Sequence, residues 1–353
     1  MQLHHLVKPA VPLALVGVLL LAGCTGGNEE GERQASTLRQ VRDRGTLNCG
    51  VNDAVPGFGF VTQAGDFQGF DIDYCRAVAA ALFGDPAKVE FKPLTAEQRF
   101  TALQAGEIDV LIRNTTWTAS RDGAEGSTFL TTTFYDGQGM MVRASSRFQK
   151  LEDMSGTTIC TLSGTTTELN LASVFRARRI DHTPLSFEDN DTLQQAFTQR
   201  RCDGWTSDKS QLAGVRSNWP ANQGGPDGLR ILDETFSKEP LGPVVRDGDS
   251  QWAQVIDWVV LSTIQAEEFG VTSKNVDQMV NSQNPEIARF LGGADFDSGL
   301  GLPRDFAVKV IKAVGNYEEI YNRNVGPDTP LGLERGLNGL WTKGGLHYAP
   351  PYR

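Results

Sequence analysis

Short apolar runs alternate with amphipathic runs along most of this chain, and the alternation predicts strands and helices in turn. Thr46–Val51 reads as a strand, followed by a Gly-rich loop over 52–60. Asp71 suits an N-cap, and Ile72–Phe83 after it carries Ile72, Cys75, Val78, Ala79 and Leu82 at helical spacing. Gly84-Asp85-Pro86 stops that helix. Val89–Pro93 is a second strand and Ala96–Ala105 a helix with Phe100 and Leu103 on one side. Ile108–Ile112 is apolar enough to be buried on both faces, as in a parallel sheet.

The pattern then recurs. Strands are expected at 157–162, 184–187 and 204–207, with helices at 168–178, 192–200 and 209–216 between and after them. The fold class is α/β, with two lobes of similar element order. They join near Tyr135–Arg143 and again through the Pro- and Gly-containing stretch Ser237–Val245. The first lobe is expected over 38–139 and 245–353, and the second over 140–244. After the second connection come helical stretches at 251–269, 276–280, 285–291 and 305–324, a C-terminal extension that must pack on something. The first lobe is its natural partner if the chain crosses twice.

The N-terminus adds a location. Lys8 precedes an apolar run from Val11 to Ala22, too short to span a bilayer, which takes about 20 apolar residues. It suits a signal peptide, 1–23, and ends in Leu21-Ala22-Gly23-Cys24, which looks like a bacterial lipobox with Cys24 as the lipidated residue. A buried helix with a chance Cys is the alternative. The stretch 24–37 reads as a flexible tether, since Thr25–Glu32 after Cys24 has no apolar residue to bury. These features place the protein outside the cytoplasm, held to the membrane by lipid. The formal charge of −10 comes without a basic stripe, which argues against nucleic acid as a partner.

Export makes disulfides plausible. Cys49, Cys75, Cys160 and Cys202 remain once Cys24 is assigned to lipid, and four Cys allow three connectivities. Cys49–Cys75 with Cys160–Cys202 keeps each bridge inside one lobe. Four buried free thiols are the other reading. No C-x-x-C, H-E-x-x-H, G-x-S-x-G or phosphate-binding loop occurs, and two of the four His fall in the signal peptide. No metal, cofactor or nucleophile is therefore expected.

Ligands of α/β sheets sit at the carboxyl ends of strands. Four such ends carry chemistry here. The segment 113–121 offers hydroxyls and the Arg121 guanidinium, a planar fork that fits a carboxylate, although Thr118 also reads as a helix cap and Arg121 as a solvated side chain. Ser163–Glu168 starts a helix: Thr165 with Glu168 makes a T-x-x-E capping box, and the remaining N–H groups would hold an anion. Asp208 ends a strand and could face an ammonium, or cap a helix with Gln211. Asn52, with Phe58 and Phe60, could line a pocket or belong to the core. A cation, helix N–H groups and an anion together complement a zwitterion.

At these residues the chain resembles the polar-amino-acid-binding proteins of ABC importers, and within them the general L-amino-acid-binding subgroup. The resemblance spans about 38–353 and is carried by Cys49-Gly50-Val51-Asn52, Gly69–Asp73, Arg99–Val110, Arg113–Thr118, Tyr135–Gly139, Ser163–Leu171, Ser237–Pro243 and Leu340–Leu346. It implies a periplasmic-binding-protein-like fold, two lobes hinged by two strands and closing on the ligand. It implies that Arg121 grips the α-carboxylate, in a T-x-T-x-x-R motif with Thr116 and Thr118, and that Thr166 of the Ser163–Thr166 segment adds carboxylate contacts. Asp208 would take the ammonium, with the carbonyl of Asn114 beside it. Asn52 stands where relatives often carry an acid. Ala96 stands where many carry an aromatic, which fits a roomier pocket. The partners implied are L-amino acids and permease subunits. Some proteins of this fold instead dehydrate arogenate or prephenate; that needs a general acid in the cleft, and Glu168 and Glu97 read better as a helix cap and a surface residue.

Overall fold

The computed structural model describes residues 36–293 and 297–353. The expected signal peptide, the expected lipidation site Cys24 and most of the expected tether lie outside the described residues.

Two five-stranded sheets share one layout. The first is ordered Val89–Pro93, Leu47–Val51, Val110–Leu111, Val244–Arg246, Ser127–Phe129. The second is ordered His182–Phe187, Thr157–Leu162, Gly204–Asp208, Gln138–Arg143, Leu229–Ile231. In each, three parallel strands are followed by an antiparallel one delivered by a crossing between the lobes. The crossings themselves pair: Phe134–Asp136 runs antiparallel to Glu239–Leu241, with Asp136 opposite Glu239. A two-stranded ribbon of this length can bend without breaking either sheet.

Burial explains the strand signals. Val110 and Leu111 are fully buried because helices cover both faces of the first sheet. Phe70–Phe83 is apolar nearly all round, since it is held between that sheet and the C-terminal helices Ser250–Glu268 and Phe306–Val314, in one continuous core. The second sheet has its own clusters on its two faces, around Trp205 and around Phe175. The Cys49–Cys75 and Cys160–Cys202 disulfides are present, each inside one of these cores. Their separations of 26 and 42 residues give each a worth of about 3–4 kcal/mol in the chain-entropy account.

Three expectations change. Asp71 does not cap its helix. The helix runs Phe70–Phe83 with Gly69 at the N-cap, and the Phe70 and Asp71 amides donate to the carbonyls of Gly57 (2.8 Å) and Phe58 (3.0 Å). That approach needs glycine: Gly69 has φ +134°, and a Cβ there would sit 2.1 Å from the Phe58 carbonyl oxygen. The stretch 305–324 is two helices, Phe306–Val314 and Tyr317–Asn324, broken at Gly315 (φ +83°) and restarted by Asn316, which accepts from the Glu319 amide while Glu319 accepts from its own. The third strand is only Val110–Leu111, although the flanking amides of Asp109 and Ile112 still donate to the Asn48 and Gly50 carbonyls of the first strand (both 2.9 Å).

Candidate functional site

The carboxyl ends of both sets of parallel strands face one cleft, and most of the residues singled out above meet there. Asn52 follows the Leu47–Val51 strand, Asn114 and Thr116 follow Val110–Leu111, and Arg121 lies in the short helix Ala119–Ala124. From the other sheet come Thr165 and Thr166, at the start of Thr166–Arg178, and Asp208 at the end of Gly204–Asp208. All seven line one cavity of about 20 Å³. That is room for roughly one water. The lobes are shut, and groups across the cleft answer one another.

Arg121 is not solvated. It is 8% exposed, and its Nη1 donates to the Thr116 carbonyl (3.0 Å) and its Nη2 across the cleft to that of Gly164 (3.4 Å). Thr118 does cap the helix, accepting from the Arg121 amide (3.2 Å), so the cap and the buried guanidinium coexist. Burial lowers the Arg121 pKa, against the opposing fields of Glu239 and Asp208.

Thr165 and Thr166 divide their work. The Thr165 hydroxyl accepts from the Glu168 amide (3.1 Å) and donates to the Leu162 carbonyl (2.6 Å). The capping box is displaced by one residue, because Glu168 reaches the Gly164 amide (3.2 Å) rather than that of Thr165. The Thr166 hydroxyl donates to Glu239 (2.7 Å) and lies 3.3 Å from the Thr116 hydroxyl on the other lobe. The Thr166 and Thr167 amides, in the first helical turn, have no intrahelical acceptor.

Asp208 is 5% exposed and occupies the N-cap position of Lys209–Ser217, yet its side chain does not cap that helix. The expected pairing with Gln211 in a capping box is absent because Asp136, from the first crossing strand, supplies the carboxylate to the Ser210 amide (3.2 Å). Asp208 accepts instead from the Asn114 side-chain amide (3.3 Å). Burial, and then the charges of Asp136 and Glu239, push its pKa well above the usual carboxylate range. Asp136 is pushed up to about 6, chiefly by burial.

Asn114 joins the two halves. Its oxygen accepts from the Asn52 amide, its side-chain amide reaches Asp208 and Gln211 (both 3.3 Å), and its own backbone amide donates to Asp71 (2.7 Å). Its φ of +30° is strained for a side-chain-bearing residue and is held by these bonds. Asp71, read from sequence as a cap, is therefore the clamp on this loop.

Other candidates lie elsewhere. Phe58 is in the core, edge-on to Phe134, and Phe60 belongs to a small antiparallel sheet; neither lines the cavity. Ala96 is buried outside the cavity wall. His347 is packed against Tyr135 and Tyr317, where burial lowers its pKa to about 3, and His182 lies tilted against Phe175. Glu168 is held by Gly164 and Ser186, and Glu97 is exposed. Among the described residues no cluster of His, Cys, Asp and Glu could hold a metal. Sequence reading missed Arg99, Arg113, Asp136 and Glu239. The first two line the cavity, and the last two stand behind it on the crossing strands.

Two like lobes, crossed twice by the chain and meeting over buried polar groups of both signs, define a protein that clasps a small polar molecule. The chain belongs to the bacterial extracellular solute-binding proteins, family 3, whose model matches residues 47–286. It is 50% identical over 322 residues to the general L-amino acid-binding periplasmic protein AapJ of Rhizobium johnstonii, covering 90% of this chain and 93% of that one. It is 47% identical over 342 residues to the glutamate/glutamine/aspartate/asparagine-binding protein BztA of Rhodobacter capsulatus, covering 96% and 99%. A periplasmic binding protein of an ABC transporter from Brucella ovis, solved with glutathione bound, is similar at TM-score 0.87 and 49% identity, over 90% of this chain and all of that one.

Proposed function

We propose that the chain is the substrate-binding lipoprotein of an ABC importer for L-amino acids. One observation carries the reading. Arg121 and Asp208 come from opposite lobes, are buried at one cavity, and form no ion pair within 4.0 Å among the described residues. A zwitterion answers both groups at once, its carboxylate taking the buried guanidinium and its ammonium drawing the raised Asp208 carboxyl into its ionised form. In the shut cleft the Gly164 carbonyl stands where a carboxylate would meet Arg121, and the Asn114 amide where an ammonium would meet Asp208. Thr116, Thr166 and the first amides of the Thr166–Arg178 helix complete the carboxylate side, and Asn52 and Asn114 the ammonium side. The lobes are taken as 38–139 with 245–353, and 140–244, turning about the paired crossings. The names of AapJ and BztA support the same cargo class, and the glutathione-bound relative supports a ligand that presents an amino-acid head group.

A thermal-shift panel of L- and D-amino acids tests this. A ligand at a thousand times its Kd adds about 4 kcal/mol, several degrees in Tm. N-acetylated and carboxamide derivatives of the best ligand are expected to give no shift. No shift with any L-amino acid would end the reading.

The location is also proposed: cleavage after residue 23, lipid on Cys24, and a tether holding the carrier near its permease at high local concentration. Expressed with its leader, Cys24→Ser is expected to move the protein from the membrane to the soluble fraction. Unchanged membrane association of this variant would count against the anchor.

A further inference from the structure

One stripe of the helix Lys209–Ser217 faces the first lobe. Asp208, Gln211 and Gly214 recur every three residues and so share a side of it. At one end of the stripe Asp208 and Gln211 both accept from the Asn114 side-chain amide (3.3 Å each). Further along, Gly214 is buried against the carbonyl of Pro56, in the turn between Ala54–Val55 and Gly59–Val61. A Cβ on Gly214 would stand 2.4 Å from that oxygen, and its three nearest atoms would all belong to Pro56.

The helix itself does not ask for glycine at this position. Gly214 is not among the residues of positive φ, and glycine inside a helix is less stable than alanine. The missing Cβ serves the contact with Pro56. Gly164 also meets the other lobe, but its φ of +70° accounts for its glycine without any partner. The turn that carries Pro56 has little freedom to yield. The Phe70 amide donates to the Gly57 carbonyl (2.8 Å), and a Cβ on Gly57 would meet the Leu331 side chain at 2.5 Å. The turn is thus held by the Phe70–Phe83 helix and by the C-terminal extension.

We infer that Gly214 is a positioning residue for ligand capture: its contact with Pro56 is the stop that sets how far the lobes shut, and its missing Cβ lets Asp208 reach the ligand. The inference rests on the two-lobed, amino-acid-binding reading above and adds to it the contact that ends closure. Ordinary van der Waals contact begins near 3.4 Å, so a methyl group at 214 holds the helix about 1 Å further from Pro56. The Asn114–Asp208 bond, already 3.3 Å long, does not survive that retreat, and the Asp208 carboxylate withdraws from the ammonium with it. With the lobes apart, the same methyl meets nothing of the first lobe and favours the helix.

Gly214→Ala and the bulkier Gly214→Leu, both better helix formers than glycine, test this beside wild type. Each is melted without ligand, titrated with an equimolar pool of the standard L-amino acids other than cysteine, and measured by small-angle scattering with and without that pool. Wild type is expected to contract when the pool is added. Gly214→Ala should melt at or above wild type without ligand, bind the pool at least ~10-fold more weakly through a faster dissociation, and contract less. Gly214→Leu should show the larger defect. Variants that bind and contract as wild type does overturn the stop. Variants that melt below wild type without ligand also overturn it, because Gly214 then serves the resting fold and not the shutting. A wild type that binds the pool without contracting removes the stop and leaves amino-acid binding standing. If the pool does not bind wild type at all, the amino-acid reading falls and the stop with it.

Discussion

Arg121→Ala is expected to weaken amino-acid binding by roughly 30- to 4,000-fold, the cost of about 2–5 kcal/mol for removing one partner of a buried, hydrogen-bonded charge pair. The size follows from burial. At 8% exposure the guanidinium is shielded from water, so a carboxylate docked on it exchanges hydration for the fork and must be answered in full. Water entering the truncated site would restore part of the loss, which sets the lower end of the range. Arg121→Lys keeps the charge and loses the two-pronged geometry, so it should fall between wild type and alanine. Both variants also lose the bond to the Thr116 carbonyl, so a thermal melt of the ligand-free protein is needed beside the titration. An alanine variant that melts normally and binds within threefold of wild type would remove Arg121 from the site.

The sequence made the frame legible, and the reason is periodicity. Thr157–Leu162 lies inside its sheet and is buried throughout from Ile159, whereas Val89–Pro93, at a sheet edge, shows itself by alternation of Val89, Phe91 and Pro93 with Glu90 and Lys92. What it concealed is where one side chain does another's work. Asp208 before a helix looks like a cap in any single sequence. Only the fold shows that Asp136, 72 positions earlier, takes over the capping and leaves the Asp208 carboxylate facing the cleft. Asp71 is the reverse case: a cap signal made redundant by the close approach at Gly69 and used to fix Asn114. Arg99 and Arg113 were hidden for another reason. Arg99 lies within the Gln98–Ala105 helix, where an arginine ordinarily reads as solvent-facing, and it lines one cavity with Arg113 only because the third strand adds beside the first. Phe58 and Phe60 show the converse, aromatics near a strand end that serve the core and a small sheet.

Asp208→Asn is the second large effect expected, a loss of similar size to that of Arg121→Ala. The amide keeps the shape and the hydrogen bond to Asn114 can be rebuilt, but the charge that answers the ammonium is gone. The wild-type protein should carry a pH signature of the same residue. Burial and the neighbouring carboxylates Asp136 and Glu239 hold the Asp208 pKa up in the free protein. The ligand's ammonium favours the ionised form, so the bound pKa lies below the free one. Binding then releases a proton wherever Asp208 is protonated before the ligand arrives. Affinity therefore rises with pH and levels off once Asp208 is ionised in the free protein as well. Asp136→Asn removes one of the repelling charges and should move that rise to lower pH, with the asparagine oxygen still able to accept from the Ser210 amide. Titrations in buffers of different ionisation enthalpy count the protons released. Affinity that is flat with pH, together with no proton release, would mean that Asp208 is already charged in the free protein and that Asp136 and Glu239 do not govern it.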